Sequence, residues 1–257
     1  MDHMSALPST ILAELQSEID AGRTVASALE PIIRKEIING TFAPGTKLAL
    51  KDLAERYEAG VIPLREALSR LCASGFVDAV DQKGFRVAEV SHEELADITR
   101  TRQEIERLAL REGMRRRDPE WEGQVLAAHH RLSQISQCDP LLGPPAINPA
   151  WERAHNEFHS TLVGGCQSVW MRRFSTILRE QTARYRHLSV AAPQAQERNV
   201  KAEHDAIVAA VMSRDVDLAC RLLTEHFATT GKLVLDTLGS PSASTAKHRS
   251  AASREMK

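Results

Sequence analysis

His155 and His159 stand four residues apart, and among the residues of this chain their spacing is the one that suggests metal chemistry. On a helix both imidazoles would leave the same face, which lets two ring nitrogens meet one ion. The chain holds ten histidines, and scattered at random they would give about 0.4 such pairs, so spacing alone is a weak signal. His204 and His226 fall on two later helical stretches, each preceded by a glutamate; taken singly, each reads as a core or surface histidine. Glu157 lies between the first pair, where a metal-dependent hydrolase would want a base for a metal-bound water. No motif supplies oxyanion donors to such an enzyme, and it leaves the first ninety residues unexplained.

A second constellation lies in those residues. Gly40-Thr41-Phe42-Ala43-Pro44-Gly45-Thr46-Lys47-Leu48 is followed by Asp52-Leu53-Ala54-Glu55-Arg56-Tyr57 and by Pro63-Leu64-Arg65-Glu66-Ala67-Leu68-Ser69-Arg70-Leu71. A Pro-Gly turn between two short amphipathic helices, with an arginine early in the second, builds a helix-turn-helix that reaches into a DNA groove. The second helix is expected to start near Ile62, with Ile62 and Pro63 at its leading end. Arg65, one turn in, can pair bidentately with guanine, and Lys51 can reach a base or a phosphate. For an isolated arginine the opposing reading, a solvated Arg65-Glu66 face, is favoured about three to one.

The elements that must position these groups divide the chain. Gly75–Val80 and Phe85–Val90 alternate like two short strands around Asp81-Gln82-Lys83-Gly84, a small wing whose tip residues Lys83 and Gly84 suit a minor-groove or backbone contact. From Ser91 onward the pattern is helical, opening on a capping box of Ser91 and Glu94. Helical stretches are expected near 91–117, 119–137, 149–164, 168–190, 194–213 and 215–238, with breaks at Gly143-Pro144-Pro145 and Ala192-Pro193. The fold class is mainly α: an N-terminal segment 1–20, a winged helix-turn-helix over 21–90, an antiparallel six-helix bundle over 91–238, and a disordered tail over 239–257.

Composition is that of a soluble globular protein. The 257 residues are 42% apolar and 26% charged, and no stretch approaches the run of about eighteen apolar residues that a membrane span needs. The expectation is a cytoplasmic protein without a membrane partner. Cys72, Cys138, Cys166 and Cys220 are dispersed, which suits buried thiols rather than disulfides or a thiolate zinc site. Net charge is −1, and between Arg23 and Val90 ten Lys/Arg nearly cancel nine Asp/Glu. Any DNA affinity must come from local placement of charge.

The series Pro-Gly, Leu-Ala, Pro-x-Arg-Glu-Ala-Leu and Gly-Phe, over residues 22 to 90, resembles the GntR family of bacterial transcription regulators. That resemblance reverses the preference for a solvated Arg65. It implies double-stranded operator DNA as partner, with Lys51 and Arg65 in base-contact positions. The family's Ser-Arg pair just before x-Pro-x-Arg falls on Gly60 and Val61, so a second base-reading arginine is missing and only backbone or methyl contact is left there.

The helical remainder resembles the FCD ligand-binding domain of the family's FadR-type branch. That resemblance implies a divalent metal held by His155, His159, His204 and His226, with His155 where the family has an aspartate. Four imidazoles without a carboxylate ligand favour zinc, with nickel as the alternative, over magnesium or calcium. Arg102 falls where the family has an arginine facing the cavity, against the plainer reading of an i,i+4 pair with Glu106 on the helix surface. Arg184 and Arg186 are further candidate partners of an effector carboxylate. Pro-Leu-Arg-Glu-Ala-Leu-Ser, Gln-Lys-Gly-Phe-Arg-Val-Ala, His159 through Cys166, and Arg184-Tyr185-Arg186 are similar to the carbon-starvation-induced regulators of glutarate and aminobutyrate catabolism. The implied protein is a homodimeric repressor released by a small carboxylate bound beside the metal. A metal sensor without organic effector and a zinc hydrolase are the rivals.

Overall fold

The computed structural model describes residues 9–80, 83–138, 147–189 and 198–238. Two units emerge, one of residues 1–90 with 179–187 and one of 91–178 with 188–257. Asp81-Gln82, the two proline breaks and the tail lie outside the described residues.

In the first unit α1 (Ser9–Asp20) and α2 (Val25–Ile38) precede the reading element. Residues 1–20 were expected only as a leading segment; instead Leu15 of α1 joins the unit's apolar core. Thr24 caps α2 through its hydroxyl, which accepts from the Ser27 N–H at 3.2 Å. β1 (Lys47–Leu48), α3 (Leu50–Arg56), α4 (Val61–Ala73), β2 (Val77–Val80) and β3 (Gly84–Val87) follow. The wing is a three-stranded antiparallel sheet ordered β1-β3-β2, with Leu48 opposite Phe85 and Val77 opposite Val87. The two-residue β1 is too short to show an alternating pattern. Gly45, at φ +75°, makes the turn into it, a left-handed conformation that favours glycine; the exposed Glu89 carboxylate near it is the end of a flexible side chain and could make room for a Cβ.

The second unit contains α5 (His92–Arg116), α6 (Pro119–Ser133), α7 (Pro149–Gly164), the first half of α8 (Val169–Ser189), α9 (Val200–Met212) and α10 (Val216–Leu238), the six helices expected. Ser91 caps α5 by accepting from the Glu94 N–H at 3.0 Å. α6 packs on α7, and α10 packs on both α5 and α9. Trp121 of α6 donates from its indole N–H to the Thr161 carbonyl of α7 at 2.8 Å. Gly113 and Gly165 let α5 touch the end of α7: a Cβ on Gly165 would lie 2.9 Å from the Gly113 Cα and from the Trp121 ring.

Candidate metal centre and DNA-reading surface

Asn148 starts α7 by accepting from the Ala150 N–H at 2.9 Å, and Pro149 is preset for the first helical position. The helix then buries Trp151, Ala154, His155, Phe158, His159 and Leu162, a 3–4 spacing that makes one inward face. Two positions of that face that would suit apolar side chains are imidazoles. Asn199 caps α9 through the Ala202 N–H at 3.0 Å, which sets His204 on its second turn facing the same interior. His226 comes from α10.

All four imidazoles are buried, and one ligand nitrogen from each lies within 4.8 Å of the others. Nε2 of His155 and Nε2 of His159 are 3.1 Å apart. Two nitrogens bound to one zinc at about 2.0–2.1 Å, at the tetrahedral angle, stand roughly 3.3 Å apart, so the pair already has ligand spacing. Trp151 stacks on His155 with ring centroids 4.5 Å apart, and Phe158 and Phe227 pack against His159. Burial pushes the pKa of His226 down to about 4, against the opposing hydrogen bond from Glu203, so the ring is neutral near pH 7 and has a lone pair to give. The spacing of the sequence singles out only His155 and His159, and the resemblance adds His204 and His226; the structure brings the four imidazoles together.

Two charged partners were not foreseen. Glu203 accepts from His226 Nδ1 at 2.7 Å, and Arg198 grips the same carboxylate with two N–H groups at 2.6 Å each. Burial pushes the Glu203 pKa up, but the bonds from Arg198 and His226 outweigh it and hold the group at about 2. The glutamate was visible only as the residue before His204, and Arg198 belongs to no motif. Beside them a cavity of about 360 Å³ is lined by His129, Gln137, Trp151, Arg198, Lys201 and His204 among others.

Arg102 does pair with Glu106, Nε to Oε1 at 2.8 Å, but the pair is buried rather than on the helix surface. The guanidinium lies 3.9 Å above the Phe227 ring, near enough to the histidines for its charge to add to the lowering of the His226 pKa. Arg184 is elsewhere: it belongs to the first unit, where its guanidinium donates to the carbonyls of Gly75, Ala88 and Glu89 at 3.3, 2.7 and 3.2 Å. It also donates to the Gln181 side-chain oxygen at 3.2 Å, and in this arrangement Arg184 acts as a strut for the wing. Arg186 is buried in the same stretch of α8, again in the first unit. Glu157, the base that a hydrolase would need, points outward in an exposed pair with Arg131 at 2.6 Å.

In the first unit α4 buries Leu64, Ala67, Leu68 and Leu71 beneath it and presents Val61, Ile62, Arg65 and Ser69 outward. It starts one residue before Ile62, on Gly60, which gives no side-chain cap. Ile62 is 83% exposed and Pro63 half-buried. Lys51 at the start of α3 is exposed, as are Lys83 and Gly84 at the wing tip, where Gly84 turns at φ +88°. Arg65 and the uncovered Ile62 on α4, with Lys51 exposed on α3, are the group types that suit a major groove: base edges, thymine methyls and phosphates. Glu66 pairs back to Arg70 at 2.5 Å, which leaves Arg65 outside that pair.

Residues 25–87 match the model of bacterial regulatory proteins of the gntR family, and residues 97–229 match the FCD domain. The chain is 36% identical over 200 residues to the HTH-type transcriptional repressor GlaR of Escherichia coli (strain K12), covering 77% of this chain and 90% of that protein. It is 35% identical over 212 residues to the HTH-type transcriptional regulator BphR of Paraburkholderia xenovorans (strain LB400), covering 82% and 86%. In fold it is similar to E. coli McbR/YncC, with a TM-score of 0.68 at 19% identity over 84% of this chain and all of that one. A GntR regulator from Rhodococcus sp. RHA1 gives 0.65 at 18% identity over 82% and 97%.

Proposed function

The chain belongs to the gntR family of bacterial regulatory proteins, as a DNA-binding transcriptional regulator with an FCD domain, and on that basis we propose a homodimeric repressor released from its operator by a small carboxylate bound beside a divalent metal ion. The observation that carries the metal is the meeting of four buried imidazoles from three helices within 4.8 Å. Neutral nitrogen donors without a carboxylate suit zinc, or nickel, better than the hard cations. When bound, the ion supplies a Lewis-acid position at which an effector carboxylate oxygen completes the coordination sphere.

The chain's own residues do the rest. His155 and His159 fix one edge of the site from α7, and His204 and His226 close it from α9 and α10. Arg102 lies beside the cluster to meet anionic charge, and Trp151 and His204 border the cavity in which an effector body has room. The resemblance to regulators of glutarate and aminobutyrate catabolism points to a dicarboxylate.

Repression follows the description of the E. coli relative GlaR. Two copies would set two α4 helices on a two-fold operator. Support for the dimer comes from α8, where Val169, Trp170, Phe174 and Ile177 are exposed at helical spacing, four of the eight large apolar side chains exposed among the described residues. An effector acts by favouring the arrangement of the two reading units that does not fit DNA, which needs differential affinity for the two states. The test is metal content of protein purified without added metal or chelator, with thermal shifts against glutarate, 2-hydroxyglutarate, succinate and citrate. Near-stoichiometric metal and a selective shift are expected; neither would leave the histidines a structural cluster. Operator release that tracks free zinc and ignores carboxylates would favour a metal sensor.

A further inference from the structure

Glu203 and His204 are neighbours on α9, yet they serve different directions. Successive helical side chains diverge by about 100°, so while His204 faces the interior, Glu203 reaches sideways to α10. There its Oε2 meets Nδ1 of His226 at 2.7 Å. Nδ1 also lies 3.3 Å from the Arg198 Nη2, but the carboxylate, which only accepts, is the nearer partner at 2.7 Å, so the ring carries its proton on Nδ1 and Nε2 is left with the lone pair. The carboxylate is itself immobilised. Arg198 binds it in a fork, Nε to Oε1 and Nη2 to Oε2 at 2.6 Å each, and anchors to the Thr230 hydroxyl at 2.9 Å and the His226 carbonyl at 3.1 Å. Thr230 donates to that same carbonyl at 3.1 Å. Both ends of the chain of contacts therefore close on one residue, His226.

We propose that Glu203, gripped by Arg198, is the positioning residue of the histidine cluster: it fixes the tautomer and ring orientation of His226 so that Nε2 faces the other three imidazoles, and thereby sets metal affinity. An ion pair that merely tied down the start of α9 would have no reason to direct an oxygen at an imidazole 23 residues away on another helix. A ligating imidazole whose outer N–H is bonded to a carboxylate is a better donor and is preorganised, and loss of such a partner costs about 10- to 100-fold in metal affinity. The inference rests on the cluster being a metal site.

The experiment is titration of metal-free full-length protein with zinc and with cobalt against a competing chelator. Wild type is compared with Glu203→Gln, Arg198→Lys and, as control, Glu225→Gln, since Glu225 precedes His226 but is exposed. Glu203→Gln is expected to weaken zinc about 10- to 100-fold. Arg198→Lys keeps the charge and loses the fork, and should lose less; Glu225→Gln should match wild type. Long-range 1H–15N NMR of the metal-free wild type should find His226 protonated on Nδ1, a readout that no variant's misfolding can spoil. Tight binding by wild type and equally tight binding by Glu203→Gln would overturn the positioning role alone, as would an Nε2-protonated His226. A wild-type protein that takes up neither ion would overturn the metal centre itself.

Discussion

Replacing Trp170 by alanine should separate dimerisation from folding. A tryptophan side chain buries up to about 250 Å²; at 63% exposure, roughly 160 Å² of Trp170 faces outward. Covering that area by a second copy stabilises by about 4 kcal/mol at about 25 cal/mol per Å², and two-fold symmetry repeats it. Interface area converts only in part to affinity, so about half of the doubled figure, roughly 4 kcal/mol, is a fair expectation. At about 1.4 kcal/mol per decade, the dimer of Trp170→Ala should dissociate about a thousandfold more readily. The monomer's own stability should move by no more than about 0.5 kcal/mol, because the side chain is exposed in the single chain. Sedimentation velocity over a dilution series reads the dimer, and a melting curve reads the fold. Leu126→Ala on α6, an exposed leucine away from the α8 stripe, should leave the dimer unchanged. An unaltered dimer in Trp170→Ala would refute the assignment of α8 as the contact face.

Arg65→Ala should abolish the specific operator footprint while the melting curve stays in place; a retained footprint would remove Arg65 from base reading. His155→Ala with His159→Ala should strip bound metal by elemental analysis, and retention would disprove the ligand set. Arg102→Ala should blunt the carboxylate-induced thermal shift more than DNA affinity measured by fluorescence anisotropy; equal loss of both would point to a folding role. Gly165→Ala places a Cβ 2.9 Å from the Gly113 Cα and from the Trp121 ring. Such overpacking should cost about 1–3 kcal/mol in denaturant unfolding, and an unchanged midpoint would show that α5 and α7 can part freely.

Much of the fold was legible because helices announce their own ends. Ser91 with Glu94 is a local capping signal, and α5 starts within a few residues of where it places the helix; α7 likewise falls on the expected stretch 149–164. β1 was not legible, since two residues carry no period and depend on pairing with β3. At the histidine cluster, the four imidazoles could be named from sequence and the residues around them could not. Glu203 looks in sequence like an appendage of His204, and only the packing of α9 on α10 turns it to His226. Arg184 differs again: its sequence position beside Tyr185 gives no sign of its partners, which in the structure are three backbone carbonyls. The α8 stripe shows a further limit. Trp170, Phe174 and Ile177 recur at helical spacing, which in sequence reads as an inward face, whereas in the single chain they are exposed.

Charge around the histidines argues for the class of effector. Arg102 and Arg198 both lie close to the cluster, but each comes matched with a carboxylate, Arg102 with Glu106 and Arg198 with Glu203. The two pairs therefore contribute fields without net charge. The four imidazoles are the proposed ligands, and in their ligating form they are neutral, so a divalent ion among them keeps its full +2 in a buried setting. An aspartate at position 155 would have cancelled half of that charge. A monoanion leaves one charge uncompensated in a medium where burial makes it expensive, whereas a dianion neutralises the centre. The preference for a dicarboxylate over its monocarboxylate analogue should accordingly depend on the ion. In protein stripped of metal the two should bind with nearly equal weakness, and a dicarboxylate preference that survives stripping would place the selectivity in Arg102 alone.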